Sequence, residues 1–305
     1  MTNLLDWLLE PDNPSARYLA LTGLLGRRAD DPEVQAAQAA IPGWGPVKAI
    51  LNAQWPAGYW MHPGLGYSPR HKATVWQVIF LAQLGTPRIE AVDRACAYLL
   101  DHSRLPNGLF AANKTAHRAI LCLSGSLLRA FLQLGYQDPR LEESLEALAQ
   151  AAVGSNFRCC CQAGWRPPRH RDGLPCPWGA AKTLNALAGV PAERRSPAMQ
   201  AAVEAGVALL LRDDGYPAAN RLDDRLSFPL GHNSDPAEAL EVLDRLGLGG
   251  DPRSAPAVEA VRSKQDRDGR WALEYTPENT WANFGTVGQP NKWVTLRALR
   301  VIRNL

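Results

Sequence analysis

A helix pair repeats along this chain about every 50 to 60 residues, and this repeat constrains the fold more than any other feature. Segments with apolar residues at helical spacing follow one another, and every second segment comes after a longer loop rich in Gly, Trp and Pro. The helix starts that follow such loops lie near positions 14, 71, 117, 176, 232 and 293. No segment sustains the apolar–polar alternation that indicates a strand. Six repeats indicate helix hairpins that each bury one face on a neighbour.

Six hairpins can stack into an open solenoid or close into a ring. The end repeats of an open solenoid need a polar outer face. The last helix, W-V-T-L-R-A-L-R-V-I-R-N-L, is instead as apolar as the internal helices. The sequence therefore predicts an all-α fold with a single domain over residues 1–305, an (α/α)6 toroid (barrel) of repeated helix hairpins around a central cavity.

Charge and hydropathy exclude several classes of partner. The net charge of +3 is dispersed along the chain, so nucleic acid is not an expected partner. The N-terminus lacks the basic and apolar regions of a secretory signal, and no apolar run approaches the length of a transmembrane segment. We therefore expect a cytoplasmic protein, and the sequence leaves its oligomeric state open. The adjacent residues Cys159, Cys160 and Cys161 are a poor disulfide framework and favour reduced thiols or a metal site.

One loop carries a family resemblance. The segment Ser263–Trp271 reads S-K-Q-D-R-D-G-R-W and resembles the Q-W motif of the terpenoid cyclase and protein prenyltransferase superfamily, in which Gln caps a helix end and Trp packs over it. Degenerate copies lie at Gln54–Trp60, Leu105–Phe110 and Cys161–Trp165. The signatures L-P-C-x-W-G and K-W-V-T-L-R-A-L-R are also similar to those of uncharacterised bacterial single-toroid proteins that resemble squalene cyclases. The resemblance implies the α/α toroid and leaves the chemistry open.

In that superfamily the inner helices point their N-terminal ends toward the ligand cavity, so the resemblance implies one shared rim. As catalytic residues we expect His117, Cys176, His232 and Asp235. As substrate-binding residues we expect Trp60, His71, Trp76, Trp178, Lys182, Trp281, Lys292 and Trp293. The tryptophans could hold an isoprenoid chain or shield a carbocation, and helix N-termini favour a diphosphate. Any of these residues could instead be an N-cap or a packing residue.

Protein prenyltransferases of this superfamily bind catalytic zinc through Asp, Cys and His. The comparable ligands here are Cys161, Cys176 and His232, because thiolate and imidazole suit zinc. Cys159 and Asp235 are alternative ligands. The D-x-C pair of the family is absent before Cys176, so free thiols remain the alternative to a zinc cofactor. Cys96 and Cys122 are expected in the hydrophobic core.

The sequence contains neither D-x-D-D nor D-D-x-x-D. The first is the proton-donating motif of class II terpene cyclases, so proton-initiated cyclisation of the squalene type is disfavoured. The leading hypothesis is an enzyme that acts on an apolar, isoprenoid or terpenoid-like small molecule in the toroid cavity. One alternative is a non-catalytic toroid that binds an apolar small molecule or peptide. Another is an (α/α)6 carbohydrate-active enzyme, which would need two carboxylates across a cleft.

Overall fold

The structure is a computed structural model that describes residues 4–112, 120–158, 175–212 and 224–303. Thirteen α-helices lie within these ranges, which contain isolated β-bridges and no strand. The helices, in chain order, are α1 (Leu4–Leu8), α2 (Pro14–Gly23), α3 (Pro32–Ala40), α4 (Gly45–Asn52), α5 (Thr74–Gln83), α6 (Glu90–His102), α7 (Leu121–Gln133), α8 (Arg140–Gly154), α9 (Pro177–Leu187), α10 (Pro197–Leu210), α11 (Pro236–Arg245), α12 (Ala255–Arg262) and α13 (Lys292–Arg303). The predicted all-α class is confirmed.

Six helices form a closed inner ring, in the order α2, α5, α7, α9, α11 and α13. From α5 to α13, each inner helix packs on the next, and α13 packs on α2. The remaining junction is made by Ser15 at the start of α2, whose Oγ donates to the carbonyl oxygen of Leu84 at the end of α5 over 2.7 Å. Outer helices fill the outside of these junctions, as α8 does on α7 and α9 and α12 does on α11 and α13. The hairpins therefore close into the predicted toroid.

Local sequence explains where the helices begin and end. Ser196 caps α10 by accepting a hydrogen bond from the backbone N–H of Met199, and a proline occupies the next position, where no backbone N–H is needed. Gly85 and Gly135 follow inner helices α5 and α7 with φ angles of 71° and 67°, a left-handed conformation that suits glycine. Short polar caps and glycine stops thus delimit the hairpins.

The core is one large apolar cluster that includes side chains from both layers of helices. Helix α5 is buried from Thr74 to Ala82, because neighbours cover it on all sides. Cys96 and Cys122 lie in this cluster as free thiols, which confirms their expected place in the core. Among the described helices, none combines the length and apolarity needed to cross a membrane.

The loop from α12 to α13 is held by Trp271. Its indole Nε1 donates to the carbonyl oxygen of Val261 in the last turn of α12 over 2.7 Å, and its backbone N–H donates to Thr295 Oγ1 in α13 over 3.0 Å. Gln265 Nε2 donates to the carbonyl oxygen of Gly269 within the loop. Trp271, rather than Gln265, therefore satisfies a carbonyl at the helix terminus and ties the outer helix to the inner one.

The loop from α4 to α5 repeats these bonds 211 positions earlier in the chain. Trp60 Nε1 donates to the carbonyl oxygen of Ile50 over 2.7 Å, and the Trp60 backbone N–H donates to Thr74 Oγ1 over 3.1 Å. Gln54 Nε2 donates to Gly58 O and also to a carbonyl of α6. This loop therefore repeats every one of the hydrogen bonds described for the loop around Trp271, although its sequence motif is degenerate.

A third loop, before α7, keeps only part of the pattern. The Phe110 backbone N–H donates to Ser124 Oγ over 3.0 Å, in place of the tryptophan-to-threonine bond of the other two loops. Arg104 stands where those loops have glutamine and donates to Ser144 Oγ in α8 over 2.9 Å. The fourth copy, Cys161–Trp165, lies outside the described residues. Three hairpins thus share the bond from a backbone N–H of the joining loop to a hydroxyl group of the following inner helix, and two of them also share the indole bond.

We predict that Trp271→Ala lowers the free energy of unfolding by about 3 kcal/mol, because it removes a fully buried aromatic ring and leaves the Val261 carbonyl unpaired. Trp60→Ala should cost about as much, because its contacts are the same. Trp55→Ala is the matched control, since Trp55 is 54% exposed in the same loop as Trp60. Chemical denaturation of the three variants measures the effect. Equal stability of Trp271→Ala and Trp55→Ala would contradict the assigned role.

Candidate functional site

The inner ring encloses a cavity of about 490 Å³. On α2, α5, α7 and α9, its lining residues lie in the central and C-terminal parts of the helices. The apolar lining residues are Leu19, Leu24, Ile79, Ala130, Phe228, Leu230, Trp293, Leu296 and Val301. The polar lining residues are Gln83, Ser126, Arg129, Gln133, Lys182, Asn185, Glu238, Glu241, Asp244, Arg245, Arg297 and Arg300. The cavity is therefore amphipathic. The N-terminal ends of two inner helices contribute to it, through Glu238 in the first turn of α11 and Trp293 in the first turn of α13.

Lys182 and Glu238 form a buried ion pair in the cavity wall between α9 and α11. The Nζ atom of Lys182 lies 2.8 and 2.7 Å from the two carboxylate oxygens of Glu238. Asn185 and Ser234 donate further hydrogen bonds to the same carboxylate. Each oxygen of Glu238 thus has two donors, which compensates for burying its charge.

Asp235 and Arg297 form a second buried ion pair, which joins α11 to α13. The guanidinium binds both carboxylate oxygens of Asp235, at 2.7 and 2.9 Å, and its Nε lies 3.2 Å from Glu241. Asp235 also caps α11 by accepting from the backbone N–H of Glu238, and it accepts from Ser227. Burial alone would raise the pKa of Asp235, but Arg297 and these backbone donors outweigh it and hold the pKa below its ordinary value.

Three further arginines line the cavity without a carboxylate partner: in the described part of the chain, none of Arg129, Arg245 and Arg300 has a carboxylate oxygen within 4.0 Å. Arg245 donates to Asn185 Oδ1 over 2.6 Å, and Arg300 donates to the carbonyl oxygen of Leu19 over 2.8 Å. The guanidinium of Arg129 makes no hydrogen bond or ion pair with the described residues. The three side chains come from α7, α11 and α13, so the fold brings together charges that are far apart in sequence.

The electrostatics of these arginines are unfavourable without a ligand. Burial lowers the pKa of Arg129, Arg245 and Arg300, and the charge of Arg245 lowers that of Arg129 further. A guanidinium stays protonated at neutral pH, so the lowered pKa values report burial first and crowding of positive charge second, and the nearby carboxylate of Glu241 offsets part of both. Two buried donors of this wall, Ser126 Oγ and Arg300 Nε, also have no hydrogen-bond partner. An anion placed here would relieve the crowding and accept from free donors.

We predict that Asp235→Asn destabilises the fold by about 3 kcal/mol at pH 7, because it leaves Arg297 buried without its counter-charge. Since the pKa of Asp235 is lower in the folded state, this stabilisation is present above pH 4 and is lost as the pH falls below it. The stability difference between parent and variant should therefore shrink between pH 4 and pH 2. Asp30→Asn is the control, because Asp30 forms its ion pair with Arg28 at the surface. Chemical denaturation at several pH values measures this difference. A stability difference between parent and Asp235→Asn that stays constant from pH 4 to pH 2 would show that the Asp235–Arg297 pair is not its cause.

Of the sequence-predicted site residues that the structure describes, Lys182 and Trp293 line the cavity. Trp293 stacks on Phe228 with ring centroids 4.7 Å apart, and its Nε1 donates to Ser15 Oγ over 3.0 Å. It thereby contributes an aromatic face to the cavity and links α13 to α2.

A second group of predicted residues surrounds the indole of Trp76. His71 and His232 both pack against this ring, with centroids 5.0 and 4.8 Å away. His232 Nε2 lies 2.7 Å from the hydroxyl of Tyr67, and His232 Nδ1 lies 3.7 Å from the thiol of Cys122. Burial and the charge of Arg70 lower the pKa of His71. His71 and His232 are thus neighbours although 161 positions separate them, and neither lines the cavity.

The other predicted substrate residues have structural contacts. Trp60 is buried in the α4–α5 loop, as described above. Trp281 Nε1 donates to the carbonyl oxygen of Lys72, whose ammonium lies 5.0 Å from the centre of the indole. Lys292 forms ion pairs with Glu10 and Asp12 before α2. Trp178 is half-buried near the start of α9. Their assigned binding roles stay predictions.

Cys176 is the N-cap of α9, where its Sγ accepts from the backbone N–H of Gly179 over 3.4 Å. Two other predicted residues, His117 and Cys161, lie outside the described residues. Within the described ranges, no group of three His, Cys, Asp or Glu side chains could hold a metal ion. The zinc site formed by Cys161, Cys176 and His232, and the catalytic roles of His117, Cys176, His232 and Asp235, stay predictions.

The charged wall of the cavity was not predicted from the sequence. Arg129 follows two leucines in α7. Arg297 and Arg300 lie three positions apart in the last helix. Residues three apart share one face of a helix, so two arginines on an otherwise apolar inner helix were an available signal for a charged interior. The partners of these arginines on α7 and α11 could not be inferred from spacing along one helix.

No protein-family model and no curated protein sequence matches the chain. Among solved structures, it resembles a protein from Actinoplanes, with 17% identity and a TM-score of 0.45 over 96% of this chain and 89% of that one. It also resembles a variant of the type II terpene cyclase MstE from Scytonema, in complex with its substrate geranylgeranyl dihydroxybenzoate. That similarity has 16% identity and a TM-score of 0.43, over 96% of this chain and 87% of that one. At these values, the toroid assignment rests on the helix contacts of this chain itself.

Proposed function

We propose that the central cavity binds an amphipathic organic anion, with an isoprenoid that bears a phosphate, diphosphate or carboxylate as the first class to test, and that the protein is an enzyme acting on it. The observation that supports this most is the set of three arginines without a carboxylate partner in one wall of the cavity, Arg129, Arg245 and Arg300. A purely apolar ligand would leave these charges desolvated and unpaired, which is costly.

The apolar side of the cavity suits a hydrocarbon chain. Leu19 and Leu24 of α2, Phe228 and Leu230 of the loop before α11, and Trp293 contribute to it. A volume of about 490 Å³ lies within the usual range for small-molecule sites. Burial of an apolar tail here would supply most of the binding free energy.

The charged side suits the head group. A guanidinium presents several N–H donors in one plane, so it binds phosphate or carboxylate oxygens in pairs. Arg129 has all its donors available among the described residues, and Arg300 Nε and Ser126 Oγ add two more. The Lys182–Glu238 pair lies in the same cavity and is the titratable pair that we assign to proton transfer in a reaction at the head group.

A binding protein without catalysis is the second candidate. The observation that favours it is the full engagement of the carboxylates of Glu238 and Asp235, which both serve ion pairs and helix contacts. Mass spectrometry of the ligand after prolonged incubation with the protein tests this role. An anion that binds and is recovered unchanged would favour it.

We predict that farnesyl diphosphate binds more tightly than farnesol, because only the diphosphate pairs with the arginines. Arg129→Met should weaken binding of the diphosphate by about 10- to 100-fold, the usual worth of a hydrogen bond to a charged group, and leave farnesol binding unchanged. Arg28→Met is the control, because Arg28 is exposed, pairs with Asp30 at the surface and does not line the cavity. Titration calorimetry at low and high salt measures both ligands. Equal affinities for the two ligands would contradict the assignment of the head-group site.

Arg129→Met should also stabilise the ligand-free protein by about 1 kcal/mol, since it removes a desolvated charge that no carboxylate contacts and that Glu241 and Glu238 compensate only from a distance. The opposite effects on binding and on stability separate a ligand site from a structural arginine. Thermal denaturation without ligand measures this gain. A loss of stability would show that Arg129 holds the fold together.

A further inference from the structure

Gly23 ends α2 and lines the central cavity, although its backbone conformation does not require glycine. Its φ angle lies outside the left-handed region, which Gly26 occupies instead with a φ of 62°. Alanine forms helices better than glycine, so a helical position with ordinary angles favours a side chain. The reason for glycine at position 23 therefore lies in the space that the absent side chain leaves free.

The guanidinium of Arg300 fills this space. An alanine Cβ at position 23 would overlap with Nη2, Cζ and Nε of Arg300. Arg300 Nη2 donates instead to the carbonyl oxygen of Leu19, one turn earlier in α2, over 2.8 Å. The missing side chain of Gly23 thus allows an arginine of α13 to lie against α2.

The guanidinium of Arg300 is held in place but keeps donors for a ligand. The bond to Leu19 uses Nη2, and Nη1 makes no hydrogen bond with the described residues. Arg300 lines the cavity, so this second amino group lies beside the space where a ligand would bind. A donor that is already fixed loses less conformational freedom when the ligand binds than a mobile one.

Burial along the cavity indicates which end of a ligand lies beside Arg300. Gly23 is exposed and Arg300 is half-buried. The lining residues that are buried include Phe228, Leu230 and Trp293. A charged group costs less where water still reaches it, and an apolar chain gains most between buried apolar walls. The contact between α2 and α13 is therefore the end of the cavity that suits a head group.

We propose that Gly23 is a positioning residue for the head group of the ligand, because it seats Arg300, and that the ligand lies with its anionic end beside α2 and α13 and its tail toward Trp293. This inference rests on the proposed function of the cavity. Gly125 also lines the cavity, but a Cβ there would meet the backbone oxygen of Lys182 at 2.5 Å. Replacement of Gly125 would therefore move a helix, whereas replacement of Gly23 moves the end of a side chain.

Titration calorimetry of the full-length protein with farnesyl diphosphate and farnesol tests the proposal. Gly23→Ala keeps every charge of the cavity and displaces the guanidinium of Arg300. We expect it to weaken binding of the diphosphate about 10-fold, the usual worth of a hydrogen bond to a charged group, and to leave farnesol binding unchanged. Gly154→Ala is the matched control, because Gly154 ends α8 as Gly23 ends α2 and a Cβ there meets nothing within 4 Å.

A double-mutant cycle separates positioning of Arg300 from a structural role of Gly23. Arg300→Ala should weaken binding of the diphosphate by about 10- to 100-fold. Gly23→Ala added to Arg300→Ala should change the affinity no further, since the guanidinium that it displaces is already absent. A glycine that served only the packing of α2 would weaken binding equally in both backgrounds, which would overturn the proposal.

The ligand pair distinguishes failure of this inference from failure of the proposed function. If the parent prefers the diphosphate and Gly23→Ala binds it as tightly as Gly154→Ala does, the inference alone is overturned. If the parent binds both ligands equally, the proposed function is overturned and this inference with it. A matching loss of farnesol binding in Gly23→Ala, or its failure to fold, would assign Gly23 to the fold. An unchanged diphosphate affinity in Arg300→Ala would overturn the inference without any change at Gly23.

Discussion

The hydroxyl group of Ser15 connects three helices of the inner ring. It accepts a hydrogen bond from the indole of Trp293 in α13 and donates one to the Leu84 carbonyl at the end of α5. Both partners are distant in sequence from α2, and Ser15 itself is fully buried. The last, first and second inner helices meet at this point, so the cavity, its charged wall and the Trp76 cluster all depend on the closure that it completes.

Two kinds of charge lie inside this ring. The pairs Lys182–Glu238 and Asp235–Arg297 are matched, and they join neighbouring helices at the cost of desolvation. Within the described residues, the arginines around Arg129 contact no carboxylate, and Glu241 acts on them only from a distance. The first kind holds neighbouring helices together, and one of its members, Lys182–Glu238, is also the pair that we assign to proton transfer. The second destabilises the empty protein, and a fold tolerates such a cost most readily where a ligand offsets it.

The helix class, the hairpin repeat and ring closure could be predicted from sequence, because apolar periodicity and loop composition are local properties. The joining loop around Trp271 could also be predicted, since its contacts lie within one hairpin. The residues of the cavity wall could not be predicted. An inner helix such as α5 is buried on every side, so periodicity cannot tell which face meets the cavity. The contact between Cys122 and His232 depends on ring closure, so the spacing of these residues along the chain does not predict it.

The loops around Trp60 and Trp271 use the same donors and acceptors 211 positions apart. The outer helices α4 and α12 are thus each fastened to the following inner helix by a joint whose bonds lie within one hairpin, and the closed ring gives every hairpin two neighbours. Which hairpin comes first along the chain therefore has little effect on the contacts within the ring. A gene rearrangement that moved a hairpin from one end of the chain to the other would preserve nearly every contact, which makes this ring a suitable scaffold for circular permutation.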